Sequence, residues 1–279
     1  MHVVNRALTG SNGSAIARRV AAARTLLFVP GSRPDRFDKA VASGADAVIL
    51  DLEDAVATAD KVTARHAVAD WLGDGNAAVV RVNAPDSAYW AEDVEAICGA
   101  DAVIMVPKAE DVDQVRALAA EVAVIALIET SRGVLGAERV CAVPGVIRAA
   151  LGHIDLAAEL GVDPDDRTAF AMARSTLVLA SAAAGLAPPL DGVTTDLSAE
   201  DVLSSDVRHA KSLGFGGKLC IHPSQVAVAA ATLRPSAVEV AWAESVVAAL
   251  PSGGGAAQVN GRMVDPPVLA RARRILAVG

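Results

Sequence analysis

Residues Thr25 to Val56, TLLFVPGSRPDRFDKAVASGADAVILDLEDAV, carry the pattern that decides the fold. An apolar run, Leu26 to Val29, ends in Pro30-Gly31-Ser32. A segment of helical period follows, Asp35 to Ser43. A second apolar run, Ala47 to Leu50, ends in Asp51-Leu52-Glu53-Asp54. Continuous apolar runs of this length suit parallel strands buried on both faces, and the helix between them is the crossover that a parallel pair requires. The alternation continues through Ala77 to Val82, Ala102 to Val106, Val122 to Ile128, Val146 to Leu151, Leu190 to Val193 and Lys218 to Ile221. Helical segments are expected at Asp60 to Leu72, Ala91 to Cys98, Asp111 to Glu121, Val134 to Ala142, Asp165 to Ala184 and Ala199 to Leu213, several opening on Asp as N-caps do. Eight runs are the number that closes a barrel, so the expected fold is α/β: a (β/α)8 TIM barrel with a C-terminal helical extension.

Composition supports this and removes other classes. The 279 residues could make two domains, but barrels use about 250 residues as one. With 53% hydrophobic and only 3% aromatic residues, the core must be built from Ala, Val, Leu and Ile, as in strands covered by helices. A net charge of −8 without a long Lys/Arg run excludes a nucleic-acid or anionic-membrane binder. No apolar stretch approaches the ~20 residues that cross a bilayer. Cys98, Cys141 and Cys220 form no CxxC pair and leave one thiol over in any disulfide scheme, which points to core positions in a reducing, cytoplasmic setting. Residues 1–24, with Arg6, Arg18, Arg19 and Arg24 and no acid, are read as a flexible leader, either transit-like or a frayed terminus. Residues 25–251 are read as the barrel. Residues 252–279, a Gly-rich loop and a helix from Pro267 to Val278, are too short for a domain and must dock on something.

Chemistry in a barrel sits at the C-terminal ends of the strands, where polar residues follow nearly every run. They are Asp51, Glu53 and Asp54, Arg81 and Asn83, Lys108, Glu129 and Thr130, His153 and Asp155, Thr194 and His222. Singly each suits a cap or a turn; together they ring one mouth. Carboxylates outnumber cations in that ring, and a hard divalent ion relieves the repulsion. Mg²⁺ needs only one or two protein carboxylates and takes its other oxygens from water and substrate, so Glu129 and Asp155 on neighbouring strands suffice, unless both are ion-pair partners of Arg81 and Lys108. The planar fork of Arg81 suits a substrate carboxylate held at two points. Lys108 is either part of the site or paired with Glu53 or Asp54. His153 and His222 either orient loops or exchange protons. There is no Ser-His-Asp order and no GxSxG elbow, hence no acyl-enzyme nucleophile. Gly214 to Lys218 lacks the spacing of a phosphate loop and is read as a turn.

The segments LLFVPGSRPDRFDKA (Leu26 to Ala40), GADAVILDLEDAV (Gly44 to Val56), VVRVNAP (Val79 to Pro85), VPKAE (Val106 to Glu110), ALIETSRG (Ala126 to Gly133), LGHIDLAAELG (Leu151 to Gly161) and GFGGKLCIHPSQV (Gly214 to Val226) together resemble the citrate lyase beta subunit family, related to the malyl-CoA and citramalyl-CoA lyases among the Mg²⁺-dependent aldolases. The resemblance runs from about Arg24 to the end. It implies a barrel, usually trimeric, that cleaves or forms a C–C bond on an acyl thioester. It implies Mg²⁺ on Glu129 and Asp155, a substrate carboxylate on Arg81, and metal-bound water beside Glu53 and Asp54. The sequence Met263-Val264-Asp265-Pro266 matches the motif whose Asp reaches a neighbouring subunit's site, which implies that residues 252–279 dock on a neighbouring subunit, and Asp265 also suits an N-cap. One departure is Ile154, where relatives often carry an acid.

The expected reaction splits a 3-hydroxyacyl thioester such as citryl-, citramalyl- or malyl-CoA into a 2-oxo acid and an acyl thioester. Glu129 and Arg81 contact substrate, Asp265 exchanges the proton, and Arg33, Arg36 and Lys39 meet the CoA phosphates or else form a solvated helix face. A pyruvate-type aldolase on free acids and a non-catalytic barrel binding oxaloacetate and Mg²⁺ are the alternatives.

Overall fold

Strands with both faces buried need no polar alternation, and the eight apolar runs are such strands. In the computed structural model, which describes residues 14–250, 256–259 and 261–278, they form one closed parallel barrel. Its strands are β1 (Thr25–Pro30), β2 (Ala47–Asp51), β3 (Ala78–Arg81), β4 (Ala102–Val106), β5 (Val124–Ile128), β6 (Val146–Leu151), β7 (Leu190–Asp191) and β8 (Gly217–Cys220). They pair in chain order, and β8 returns to β1 with Leu219 opposite Leu26. Ile49, Val79, Val103, Ile125, Leu190 and Leu219 meet inside the barrel. The connecting helices are α2 (Phe37–Val41), α3 (Lys61–Gly73), α4 (Trp90–Ile97), α5 (Val112–Ala119), α6 (Ser131–Cys141), the pair α7 (His153–Leu160) and α8 (Ala171–Ala183), and α9 (Glu200–Leu213); α10 (Pro223–Leu233) follows β8. The fold is a (β/α)8 barrel, as the run pattern requires.

Residues 14–24 correct the reading of a flexible leader. Ala15–Ala22 is a helix, α1, capped by the Ser14 side chain, which accepts the Ala17 N–H. Arg18 and Arg19 are exposed, whereas Ile16, Ala17 and Val20 join the interior cluster. The arginines that suggested a leader are the solvent face of an amphipathic helix. Arg148 on β6, fully buried, donates from Nη1 to the carbonyls of Val20 (3.0 Å) and Ala23 and from Nε to that of Pro188 (2.9 Å). The carbonyls at a helix C-terminus carry partial negative charge, so they satisfy this cation without a carboxylate. Residues 1–13, Arg6 among them, lie outside the described residues.

The chain divides into two compact units at Ala230/Ala231, earlier than Pro251. The second unit holds α11 (Ala237–Ala249), a hairpin of β9 (Ala257–Val259) and β10 (Arg262–Val264), and α12 (Pro266–Val278). Ala243, Val246 and Leu250 pack with Val264, Leu269 and Ala272 in a small core of their own. The final helix therefore packs on α11 of its own chain, which corrects the expectation that residues 252–279 have only a neighbouring subunit to dock on, and α11 belongs with it. The missed helix is apolar almost all round, AVEVAWAESVVAA, and shows no helical period. Among the described residues no helix is long and apolar enough to cross a membrane. Cys141 and Cys220 are buried, Cys98 is half-buried, and all three are free thiols.

Candidate active site

The strand ends of the first unit surround a cavity of about 390 Å³. Phe28, Leu127, Leu151, Val193 and Leu219 supply apolar wall; Asp51, Asp54, Arg81, Glu129, His153 and Asp155 supply the polar side chains. Glu129 follows β5 directly and is buried. Asp155 is half-buried and lies in the first turn of α7, three residues beyond the Gly152 N-cap, rather than at the strand end itself. Gly152 is required there. A Cβ on it would overlap Glu129 Oε2 and stand 2.5 Å from Glu129 Cβ. On the other side the backbone N–H of Lys108 donates to Glu129 Oε1 at 2.9 Å. Lys108 reaches that position at φ 48°, a left-handed conformation that a non-glycine residue adopts only when its surroundings demand it.

Glu129 and Asp155 do not pair with Arg81 or Lys108, which removes the purely structural account of the two acids. Arg81 pairs with other carboxylates, and the Lys108 side chain is exposed and makes no ion pair with Glu53 or Asp54. Burial, then the charges of Glu53 and Asp155, push Glu129 up to about 8. Burial, then Asp54, raises Asp155. Burial also lifts Glu53 to about 7 against the pull of Arg81, and Glu53 Oε2 is buried without a hydrogen bond. Of these, Glu129 and Asp155 have no cationic side chain paired to them and are the two left for a cation, whereas Glu53 leans on Arg81. Among the described residues no group of three or more His, Cys, Asp or Glu could hold a metal. Two carboxylates, with water and substrate oxygens completing the shell, fit Mg²⁺ and do not fit a closed zinc site.

The pH consequence has a definite sign. Glu53 and Glu129 keep protons in the folded chain up to about 7 and about 8, whereas the unfolded chain releases them near 4.5. Their contribution to stability is therefore full at acid pH and is lost as pH rises through those values. A divalent cation binds the ionised forms, so the rise in melting temperature on adding MgCl₂ is expected to grow between about pH 6 and about pH 8.5. A magnesium shift that is flat or shrinks over that range would contradict the assignment.

Arg81 differs from expectation. Its Nε and Nη2 donate to the two oxygens of Asp51 at 2.8 and 2.6 Å, and Nη1 lies 2.8 Å from Glu53 Oε2 and 3.3 Å from Asp54 Oδ2. Asp51 in turn accepts the N–H groups of Glu53 and Ala55 at 2.9 and 3.2 Å. The fork is thus spent on Asp51 and the loop it shapes. A guanidinium has five N–H groups, so Arg81 keeps an edge toward the cavity but no free fork. The ring of Phe28 lies 5.0 Å from its carbon.

Asn83 belongs to packing: with its own N–H it donates to Asp93 on α4, which also holds the buried Arg65. Thr130 caps α6. His222 is exposed beside Ser224, 2.8 Å from its hydroxyl, so a turn contact accounts for it. His153 is buried and faces the cavity. Burial, reinforced by Lys218 and Arg174 against Asp191, holds its imidazole down at about 4 and therefore neutral. Lys218 of the supposed turn is buried in β8 and pairs with Asp191 at 3.1 Å.

Arg33, Arg36 and Lys39 line a second cavity of about 460 Å³ with Asp35 and His222, and it shares Phe28, Pro30 and Ile221 with the first. All three cations are exposed, and Arg33 is tied to Asp35 at 2.9 Å. In the second unit Asp265 caps α12, its Oδ1 accepting the Val268 N–H at 3.1 Å. The roles of Gly152, Asp51 and the Lys108 backbone escaped the sequence reading, although Asp51 and Lys108 were in the ring it singled out and Gly152 precedes His153 of that ring.

The chain is similar to several known proteins. Over 257 residues the chain is 43% identical to a citrate lyase subunit beta-like protein of Mycobacterium tuberculosis, covering 90% of this chain and 93% of the relative. It is 36% identical over 267 residues to a (3S)-malyl-CoA thioesterase of Cereibacter sphaeroides, with 91% and 93% covered. The crystal structure of protein CitE from Mycobacterium tuberculosis in complex with magnesium, acetoacetate and coenzyme A superposes with a TM-score of 0.82 at 41% identity, covering 92% of this chain and 98% of that one. Residues 24–223 match a single family, and with the barrel and its strand-end carboxylates already in place the chain belongs to the HpcH/HpaI aldolase/citrate lyase family.

Proposed function

We propose that this protein is a Mg²⁺-dependent carbon–carbon lyase that cleaves, or in reverse forms, a 3-hydroxyacyl-CoA such as citryl-, citramalyl- or malyl-CoA. The observation that carries the reading is the pair Glu129 and Asp155, facing one cavity without a cation of their own beside a second cavity lined by Arg33, Arg36 and Lys39. The CitE relative was crystallised with magnesium, acetoacetate and coenzyme A, ligands of the same chemical kinds.

In cleavage the substrate hydroxyl loses its proton and the O–H pair becomes the new carbonyl π bond. The C–C bond breaks with its pair passing to the carbon next to the thioester, and that carbon takes up one proton. Glu129 and Asp155 would hold Mg²⁺, which when bound would supply positive charge to offset the charge developing on oxygen. Arg81, fixed by Asp51, turns its remaining edge to the substrate carboxylate, while Glu53 and Asp54 hold water beside the cation. Arg33, Lys39 and Arg36 meet the CoA phosphates as point charges at the rim. Asp265 of a neighbouring copy delivers and removes the proton at carbon, which makes a homo-oligomer, a trimer in this reading, part of the active enzyme. Three free thiols suit a reducing cytoplasm.

The test is an assay of the purified protein with MgCl₂ on malyl-, citramalyl- and citryl-CoA that follows 2-oxo acid and free thiol separately. Release of glyoxylate, pyruvate or oxaloacetate without free CoA is the expected result. Free CoA without 2-oxo acid would replace cleavage with thioester hydrolysis, the activity named for the Cereibacter relative.

A further inference from the structure

His153 is 5% exposed, and its Nδ1 is buried without a hydrogen-bond partner. The ring packs edge-on against Phe170, with centroids 5.8 Å apart, and presses on Gly192, where a Cβ would overlap Nδ1 and stand 2.8 Å from Cε1. Because the ring also lines the cavity, the edge carrying Nε2 is the one open to it. An imidazole carries a proton on at least one of its two nitrogens, and a proton on Nδ1 would here be a buried donor against Gly192 with nothing to accept it. A buried donor with no acceptor is costly, and a lone pair facing the Gly192 backbone leaves no N–H stranded, so the proton belongs on Nε2.

Among the polar side chains lining the cavity, Asp51, Asp54, Glu129 and Asp155 can only accept when ionised, and Arg81 is committed to Asp51, Glu53 and Asp54. Beside the last N–H of Arg81, which the lyase reading gives to the substrate carboxylate, His153 is the side-chain donor there without a partner. The structure assigns a direct role to it: we propose that His153 is a catalytic residue whose Nε2–H donates to the thioester carbonyl oxygen of the substrate, where negative charge gathers as the C–C bond breaks. This rests on the lyase reading above. The 2-oxo acid needs the carboxylate-bound cation. In that reading the oxygens of the 2-oxo acid go to the cation and to Arg81, which leaves the thioester carbonyl as the acceptor for His153 in a cavity walled by Leu127, Leu151 and Val193. A fixed donor aimed at developing charge adds little to substrate binding and much to the rate.

The experiment has two arms. Long-range ¹H–¹⁵N correlation on protein labelled in its five histidines, with the His153 signals identified by their loss in His153→Phe, is expected to show the Nε2–H form. The Nε2 signal should move when acetyl-CoA, glyoxylate and MgCl₂ are added together. An Nδ1–H form, or an unmoved Nε2 signal, overturns the assignment whether or not the protein cleaves any thioester, so failure of the lyase reading is recognised separately by the absence of 2-oxo acid in the wild-type assay. In the second arm His153→Phe, which keeps the ring against Phe170, should lose about 10²-fold in kcat with KM little changed. His153→Gln sets an amide N–H where Nε2 stood and should recover most of the rate; His153→Asn sets it where Nδ1 stood and should not. Equal rates for the Gln and Asn variants, or a Phe variant at wild-type kcat, rejects the proposal, and melting temperatures near wild type exclude misfolding as the cause.

Discussion

Glu129→Ala is expected to lower C–C cleavage by about 10³-fold and to abolish the stabilisation by MgCl₂ at alkaline pH, because it removes one of only two carboxylates proposed to hold the cation. The accompanying test leaves that carboxylate in the chain. Gly152→Ala places a methyl group where Glu129 Oε2 already stands and 2.5 Å from Glu129 Cβ. Glu129 cannot yield toward β4, since its other oxygen is held there by the Lys108 N–H. The side chain must turn out of the cavity, so Gly152→Ala should lose about 10²-fold in activity together with much of its magnesium affinity. Cleavage rates with magnesium titrations of melting temperature decide the matter. Wild-type magnesium stabilisation in both variants would show that the cation binds elsewhere.

Asp51→Ala is expected to destabilise the barrel by about 3–5 kcal/mol, because a buried guanidinium loses the partner that holds two of its N–H groups. Arg81 is nearly buried and Asp51 fully so, and the same carboxylate organises the loop through the N–H groups of Glu53 and Ala55. Asp54 is the control. Its side chain is 64% exposed and 3.3 Å from the same arginine, so Asp54→Ala should cost only about 0–1 kcal/mol. Urea unfolding of the two variants at one pH and without metal measures the contrast, and similar losses for both would mean that no buried clamp exists. Asp51→Ala should also reduce cleavage, since the edge Arg81 offers the substrate is aimed by Asp51.

Much of this architecture is legible in the chain. All eight strands are visible as apolar runs because each is buried on both faces, and the mouth is visible because parallel connections place every strand's C-terminal end on one rim. Glu129, Asp155 and Arg81 stand out on that basis alone. Helices are read less well where their period is hidden. The arginines of α1 disguise an amphipathic helix as a leader, α7 begins inside the motif that carries Asp155, and α11 has no polar face to set its phase.

What only the tertiary structure decides is how neighbours modify each singled-out residue. The sequence marks Arg81 as a cation able to grip a carboxylate; its register beside Asp51 on β2 determines that the grip is already taken. Likewise Gly152 matters through the Glu129 side chain of the adjoining strand, and the free nitrogen of His153 through Gly192 of the next. Hydrophobic periodicity is a local property of consecutive residues and survives in one dimension. Charge pairing, exclusion by a missing Cβ and the choice of tautomer arise between residues that closure of the barrel alone brings within a few ångströms, so they are written only in three.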